Sequence, residues 1–311
     1  MTAMACVMMA FGSASFAQPV CETNFTGNAG NDSWHNSGNW SLDVPNSTLV
    51  ACIPADKTVR IHEFGDHDAE AIWVKRDANG AGELRLNNES AGTVRLRLYA
   101  NSQVDGTLEI GLKGALKAMN DITIKGTNGD IIGTYYQASI EGSLGESNGG
   151  SIITFKNGAN GGTRANSLTV HGVLSIQTPI VNDKAFIVAD TGLLELDYYD
   201  VRPSTATKGA YWIAEKAPSA ELAGALHIKV PVTGYGTWQL VNHDEATILI
   251  ESACKNGGHV LLQRGRFEVK DGAGNGNEGS FATSGRLTME SVNGSEPQLI
   301  INHGSEAQFD N

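Results

Sequence analysis

Long apolar runs are the first thing missing from this chain of 311 residues. After the opening segment no stretch approaches the ~20 residues needed to cross a bilayer as a helix, which predicts no membrane span. Sustained helical periodicity is missing too. The exception is the alanine-rich stretch 204–224 ("STATKGAYWIAEKAPSAELAG"), where Gly209 and Pro218 leave room for a helical turn or two within a looped insertion. Charged residues are few (18%) and aromatics fewer (7%). No basic run offsets a net charge of -12, so the chain has no electrostatic footprint for phosphate backbones and nucleic acid is excluded as a partner. Cysteine is sparse and shows neither CxxC nor paired Cys/His spacing, which argues against a zinc site. GxSxG, Walker and GxGxxG signals in a strand–turn–helix setting are also lacking.

The first 17 residues carry no charge, run apolar and small, and end in Ser15-Phe16-Ala17. They read as a secretory signal cleaved after Ala17, although the usual basic n-region is missing; the alternative is a buried N-terminal helix. Export places the protein outside the cell or on its surface, where disulfides persist. Cys6 leaves with the signal. Cys21 and Cys52 are then expected to bridge, closing the loop around the Trp34/Trp40 segment, with Cys254 left over. "LVAC" at 49–52 lacks the preceding hydrophobic segment of a lipoprotein box.

What the chain has in excess is glycine, 37 in all, between short alternating runs such as "TVRI" (58–61), "TVRLRLY" (93–99), "DITIKG" (121–126) and "SIITF" (151–155). Period-two alternation marks half-buried strands. Gly-x-[Leu/Val/Phe]-x-[aliphatic/Met] recurs from Gly82, Gly92, Gly106, Gly172, Gly192, Gly224, Gly265 and Gly285. Several of these are spaced by the length of one solenoid turn. The expected fold is all-β: a parallel β-solenoid over 57–311 preceded by a cap segment over 18–56. An antiparallel β-sandwich or barrel is the alternative. In the cap, Trp34 and Trp40 are expected to lie buried over the first coil.

"WHNSGNWSLDVP" (34–45), then "ACIPADKTVRI" (51–61) and "DAEAIWVKRDANGAGELRL" (68–86), resembles the start of large secreted right-handed β-helix proteins, the bacterial surface adhesins and autotransporter-passenger-like proteins. The resemblance is architectural and covers about residues 30–200. It implies a right-handed parallel β-helix and an extracellular role, and it implies no catalytic residues. Unlike full-length members, the chain shows no translocator, sorting motif or anchor. It stops at "INHGSEAQFDN" while still reading as coil, which suggests either truncation or an end that meets a partner.

Four groups invite a chemical reading. "HEFGDHD" gathers His62, Glu63, Asp66, His67 and Asp68, residue types that hold a divalent metal or form an acid/base pair, though a solvated turn explains them equally. "KDGAGNGNEGS" (270–280), with Asp271 and Glu278, offers oxygens suited to calcium, and a corner loop is the plainer reading. His243, Asp244 and Glu245 are contiguous and so point in different directions. In "LELDYYDVRPS", Asp197 and Asp200 with Arg202 are the candidate catalytic set of a polysaccharide lyase or glycoside hydrolase. Tyr198, Tyr199, Trp212, Tyr235 and Trp238 would supply its sugar-stacking surface. The favoured expectation is non-enzymatic: a secreted or cell-surface structural or adhesion protein without a cofactor. It would bind a surface or matrix glycan or protein, and self-assemble into oligomers or filaments through its coil ends.

Overall fold

The alternating runs are strands. In Val94–Leu98 the residues Val94, Leu96 and Leu98 are buried while Arg95 and Arg97 look outward; Ile122–Gly126 and Ile153–Asn157 repeat the pattern. The computed structural model describes residues 19–87, 92–143, 151–158, 163–197, 205–270, 280–302 and 305–309. Among these there is no α-helix, only the 3-10 turns Ser37–Asn39 and Arg164–Asn166.

The strands pair in parallel, each with the strand one circuit later in sequence. Thr58 lies opposite Glu83, Glu83 opposite Thr107, and Thr107 opposite Asp130. The chain visits three such ladders in turn. The first runs from Thr58–Ile61 to Leu287–Met289 and the second from Gly65–Ala69 to Gln298–Ile301. The third runs from Thr23–Asn24 to Glu306–Phe309. Gly129–Gly142 and Leu168–Gln177 bend from the first ladder into the second, and Thr205–Ala214 and Val232–Leu240 from the third into the first. These bends join the ladders into one 28-stranded sheet. Its pairings are parallel; among the described residues the one antiparallel strand pair is a separate hairpin of Arg76–Asp77 with Gly80–Ala81. The architecture is therefore all-β and parallel, of the β-solenoid or β-barrel class, and the antiparallel alternative does not describe these strands.

Alternation and stacking together produce one core. On the first ladder the inward positions follow each other in register as Val59, Leu84, Leu108, Ile131, Val170, Ile187, Trp212, Trp238, Val260 and Leu287. The residues from Val59 to Val260 in this column are buried. Each fully buried aliphatic side chain contributes about 1.5–3 kcal/mol of transfer free energy, so no single rung dominates.

The repeated Gly-x-Leu motif marks two corners rather than one per circuit. Gly82, Gly106 and Gly285 precede first-ladder strands; Gly92 and Gly265 precede second-ladder strands, Gly192 and Gly224 begin them, and Gly172 lies at the bend of Leu168–Gln177 into that ladder. At Gly106 the requirement is close approach, because a methyl group there would run into the carbonyl oxygen of Gly82 one circuit below. Gly106→Ala should therefore cost about 1–3 kcal/mol through a forced backbone shift. A thermal melt superimposing on the parent's would overturn that account.

The alanine-rich stretch corrects an expectation. Thr205–Ala214 is a strand in register with Ile180–Asp183, Phe186–Ala189 and Val232–Leu240. No helix forms there, because the stretch sits between neighbours that offer unpaired backbone groups on both sides.

Over the first rung, Trp34 (1% exposed) and Trp40 (5%) join the core. Their rings meet edge to face at 5.0 Å, and Phe25 meets Trp40 at 5.3 Å. The Trp40 indole N–H donates to the Trp34 carbonyl at 2.7 Å, so burial leaves that donor satisfied. Buried Asn39 donates to Asn31 Oδ1 and the Ser33 carbonyl. Backbone bonds between Trp34 and Arg60, and between Arg60 and Asp32, extend the first ladder by one rung. Cys21 and Cys52 form a disulfide on the outer side of the third ladder, packed with Val50, Ala71 and Trp73. Cys254 is a free, buried thiol pushed up to about 12 by burial. It should resist thiol reagents in the folded protein and react in denaturant; fast alkylation under native conditions would contradict that placement.

Candidate functional site

Residues 65–68 of the acidic and histidine-rich segment 62–68 lie on the first strand of the second ladder, and the carboxylates of Asp66 and Asp68 have partners. Asp66 and Asp68 stand opposite Arg95 and Arg97 of the next circuit. Arg97 holds Asp68 with two hydrogen bonds, at 2.7 and 2.8 Å, and reaches Asp66 at 3.0 Å. Arg95 spans Asp66 at 2.9 Å and Glu141 at 3.0 Å, and the Tyr99 hydroxyl donates to Asp68. Burial lifts the Asp68 carboxyl, but hydrogen bonds from Arg97 and Tyr99 outweigh it and hold it below the usual carboxylate range. His67 Nε2 lies 2.8 Å from the Glu63 carbonyl, and its ring contacts His35 at 4.5 Å. A cation at this place would have to displace two arginines. Among the described residues, no cluster of three or more His, Cys, Asp or Glu is arranged for a metal. Asp271 and Glu278 lie outside the described residues, as do Tyr198, Tyr199, Asp200 and Arg202.

Asp197 also belongs to a cross-circuit network. Lys229 bridges it at 3.0 Å and Glu195 at 2.8 Å. His227 sits between Glu195 (Nδ1, 3.1 Å) and Glu251 (Nε2, 2.9 Å), and Lys270 pairs with Glu251 at 2.6 Å. The proposed stacking surface is not assembled. Trp212 and Trp238 are fully buried and stacked on each other at 5.3 Å, with Phe281 against Trp238. Strand alternation turns Tyr211 outward and Trp212 inward, a distinction that residue types alone do not make. Tyr235 is exposed. Of the contiguous set, Asp244 pairs with Arg264, and His243 Nδ1 accepts the Glu245 backbone N–H.

One constellation had no local signature. Asp130, His171 and Asp190 come from three successive circuits at the first ladder. His171 Nδ1 is 2.9 Å from Asp190 Oδ2, and its Nε2 faces Asp130 Oδ1 at 3.9 Å. Arg164 pairs with Asp190 at 3.6 Å and with Glu215, while Arg76 approaches Asp130 at 3.9 Å. Asp190 is buried, and its Oδ1 has no hydrogen-bond partner.

The environments of the two aspartates push their acidities apart. Burial raises Asp130 despite His171, Arg76 and Arg164. Burial also lifts Asp190, but the hydrogen bond and charge of His171, with the charge of Arg164, hold it low. The imidazole is oriented by its hydrogen bond to Asp190, while Asp130 lies beyond hydrogen-bond distance on its other side. Only the folded stack brings them together, since their separations in sequence follow no motif.

These shifts set the response to acid. Asp68, Asp190, Glu251 and Glu268 are all held low in the folded state. Their contribution is complete above the unfolded carboxylate values of about 4 and is lost as pH falls through the lower folded ones. Asp130, raised by burial, has the opposite sign: its cost is relieved as pH falls through its folded value. Thermal stability should therefore hold down to about pH 4 and fall steeply below it, with a shallower acid limb in Asp68→Asn. A melting temperature unchanged between pH 5 and pH 2 would refute this.

Comparison with known protein families, curated proteins and solved structures finds no match.

Proposed function

We propose that the chain is a right-handed parallel β-helix with an N-terminal cap, exported to the cell surface or matrix, where it serves as a non-enzymatic structural or adhesion protein. The observation that carries the reading is the use made of the outer charges. Arg95, Arg97, His227, Lys229 and Lys270 bind carboxylates on neighbouring circuits, and so stiffen the stack rather than converge on a reaction centre. The ladders favour a helix over a closed barrel because each strand's partners lie one circuit before and one after, and right-handed crossover is the rule for such connections. The Cys21–Cys52 disulfide is compatible with an oxidising compartment, and no helix among the described residues is long and apolar enough to cross a membrane.

Self-assembly belongs to the same proposal. Among the described residues the strands Leu287–Met289, Gln298–Ile301 and Glu306–Phe309 pair on one side only, and such edges accept added strands. Expression in a secreting host should release a protein beginning at Gln18 that attaches to cells or matrix and associates as its concentration rises. A monomer at high concentration by light scattering would remove the assembly element, and retention inside the cell would remove the export element.

The enzymatic alternative, a polysaccharide lyase or glycoside hydrolase, is favoured by one observation, the gathering of Asp130, His171 and Asp190 at one place on the first ladder. Its test is product release from a polysaccharide panel, lost in His171→Ala. No product from the parent protein would end it.

A further inference from the structure

Along the second ladder the inward positions are aliphatic. Leu96, Leu116, Ile140, Ile176, Leu196 and Ile228 follow each other in register and are fully buried. The column does not begin that way. His67 lies opposite Leu96 and takes the inward place on Gly65–Ala69, between the outward Asp66 and Asp68. Its cover is a second imidazole. The His35 ring, carried by the cap segment, rests against the His67 ring with centroids 4.5 Å apart. His35 directly follows Trp34, whose ring plugs the core and whose backbone N–H donates to the Arg60 carbonyl at 3.0 Å.

The surroundings of the two rings suit neutral imidazoles. A carbonyl only accepts, so the 2.8 Å contact between His67 Nε2 and the Glu63 carbonyl places a proton on that nitrogen. His35 Nε2 is buried without a hydrogen-bond partner, and Glu63 Oε2, on an exposed side chain, is 3.9 Å away. The charged groups around the pair are His62 and Glu63 on the turn, Asp66 and Asp68 beside His67, and Asp32 with Arg60 at the cap. Arg95 and Arg97 already hold Asp66 and Asp68, and Arg60 holds Asp32 at 2.8 Å. Among these carboxylates Glu63 remains to balance a charge on the rings. Two imidazolium rings in contact repel, and burial penalises a charge on His35 further. Burial and the charge of His67 accordingly hold the His35 imidazole below its ordinary value, with His62 adding to them and Glu63 opposing. The contact therefore contributes in full above about pH 6.5, and its contribution is lost as pH falls from there through the lower folded value.

We infer that the His35–His67 contact is an acid-operated latch: protonation of the two rings lifts the Trp34/Trp40 segment from the first circuit and uncovers the end of the core. An aliphatic side chain at position 67 would continue the column and hold the cap at any pH. What the imidazole adds is a response between about pH 7 and about pH 5. The later circuits hold neither ring, so the opening is local and leaves the main melting transition to the carboxylates. The latch acts whatever the chain binds.

The test follows amide exchange of the full chain at about pH 7.5 and about pH 5.5, with rates corrected for the intrinsic effect of pH. In the parent, protection at the Trp34 and Arg60 amides, which bond to the Arg60 and Asp32 carbonyls, should fall about tenfold or more at the lower pH. Protection at Ile122–Gly126 should stay. His35→Gln and His67→Leu, which leave an uncharged side chain at each place, should keep the cap protected at both pH values. The distant His243→Gln should respond as the parent does. Equal protection of the parent at both pH values overturns the latch. So does an undiminished loss in the two variants, which would place the response on other groups. A cap already open at the higher pH in both variants overturns it too, because the rings would then serve packing alone.

Discussion

Replacing Trp34 by alanine should cost about 3–5 kcal/mol, the range for deleting a fully buried large aromatic. Trp34 is 1% exposed, packs edge to face on Trp40 and supplies the carbonyl that accepts the Trp40 indole N–H. Removing the ring opens a cavity at the cap end of the core, beside the strand that carries Val59, the first member of the inward column. Because each circuit touches mainly its neighbours, the loss should be local. Amide exchange should accelerate at Thr58–Ile61 and Ala71–Val74 and remain slow at Thr237–Leu240. Uniform acceleration through the whole stack would mean that it unfolds as one unit. Unchanged exchange near Val59 would mean that the tryptophans cover nothing of consequence.

Removing the Cys21–Cys52 bridge, as Cys21→Ala with Cys52→Ala, should cost about 3–4 kcal/mol. The bridge joins residues 31 apart in sequence, and the entropy it withholds from the unfolded chain grows with that loop. Thr23–Asn24 makes a short pairing with Ala51 and Cys52, too small to hold the segment down unaided. Without the bridge, residues 21–24 should fray first and expose the Phe25 and Trp40 rings. Limited proteolysis should then cut ahead of residue 50 while leaving the later circuits intact. Equal protease resistance in the double variant would show that the tryptophan packing alone secures the segment. Combining both changes tests coupling: a summed cost well beyond the two single ones would mark the plug as one cooperative element.

Particular residues show where reading the chain succeeded and where it could not. The alternation in "TVRLRLY" was enough to place Arg95, Arg97 and Tyr99 on one side of a strand, because side-chain direction has period two along any extended backbone. The cysteines flanking the tryptophan segment predicted their own bridge. Asp66 and Asp68 were seen as a possible metal set because nothing local reveals Arg95 and Arg97 as their partners. That pairing exists only after the next circuit stacks in register. Trp212 and Trp238 offer a stacking surface only in the enzymatic alternative, which stays open to residue types alone because the strand beginning at Thr205 is hidden under an alanine-rich composition that also suits a helix. A one-residue error in phase is enough to exchange inside for outside.

The residue order alone settled what depends on neighbours along the chain. That includes the all-β character, the short strands between glycine corners, the acidic surface and the covalent loop at the N-terminal side. Those follow from side-chain alternation, backbone freedom and formal charge, which need no distant partner. Which circuit stacks on which was decided by the tertiary structure. So were the conversion of the carboxylates into ion pairs and the gathering of Asp130, His171 and Asp190. Such meetings depend on the length of each intervening loop, and every loop shifts the register of all that follows it.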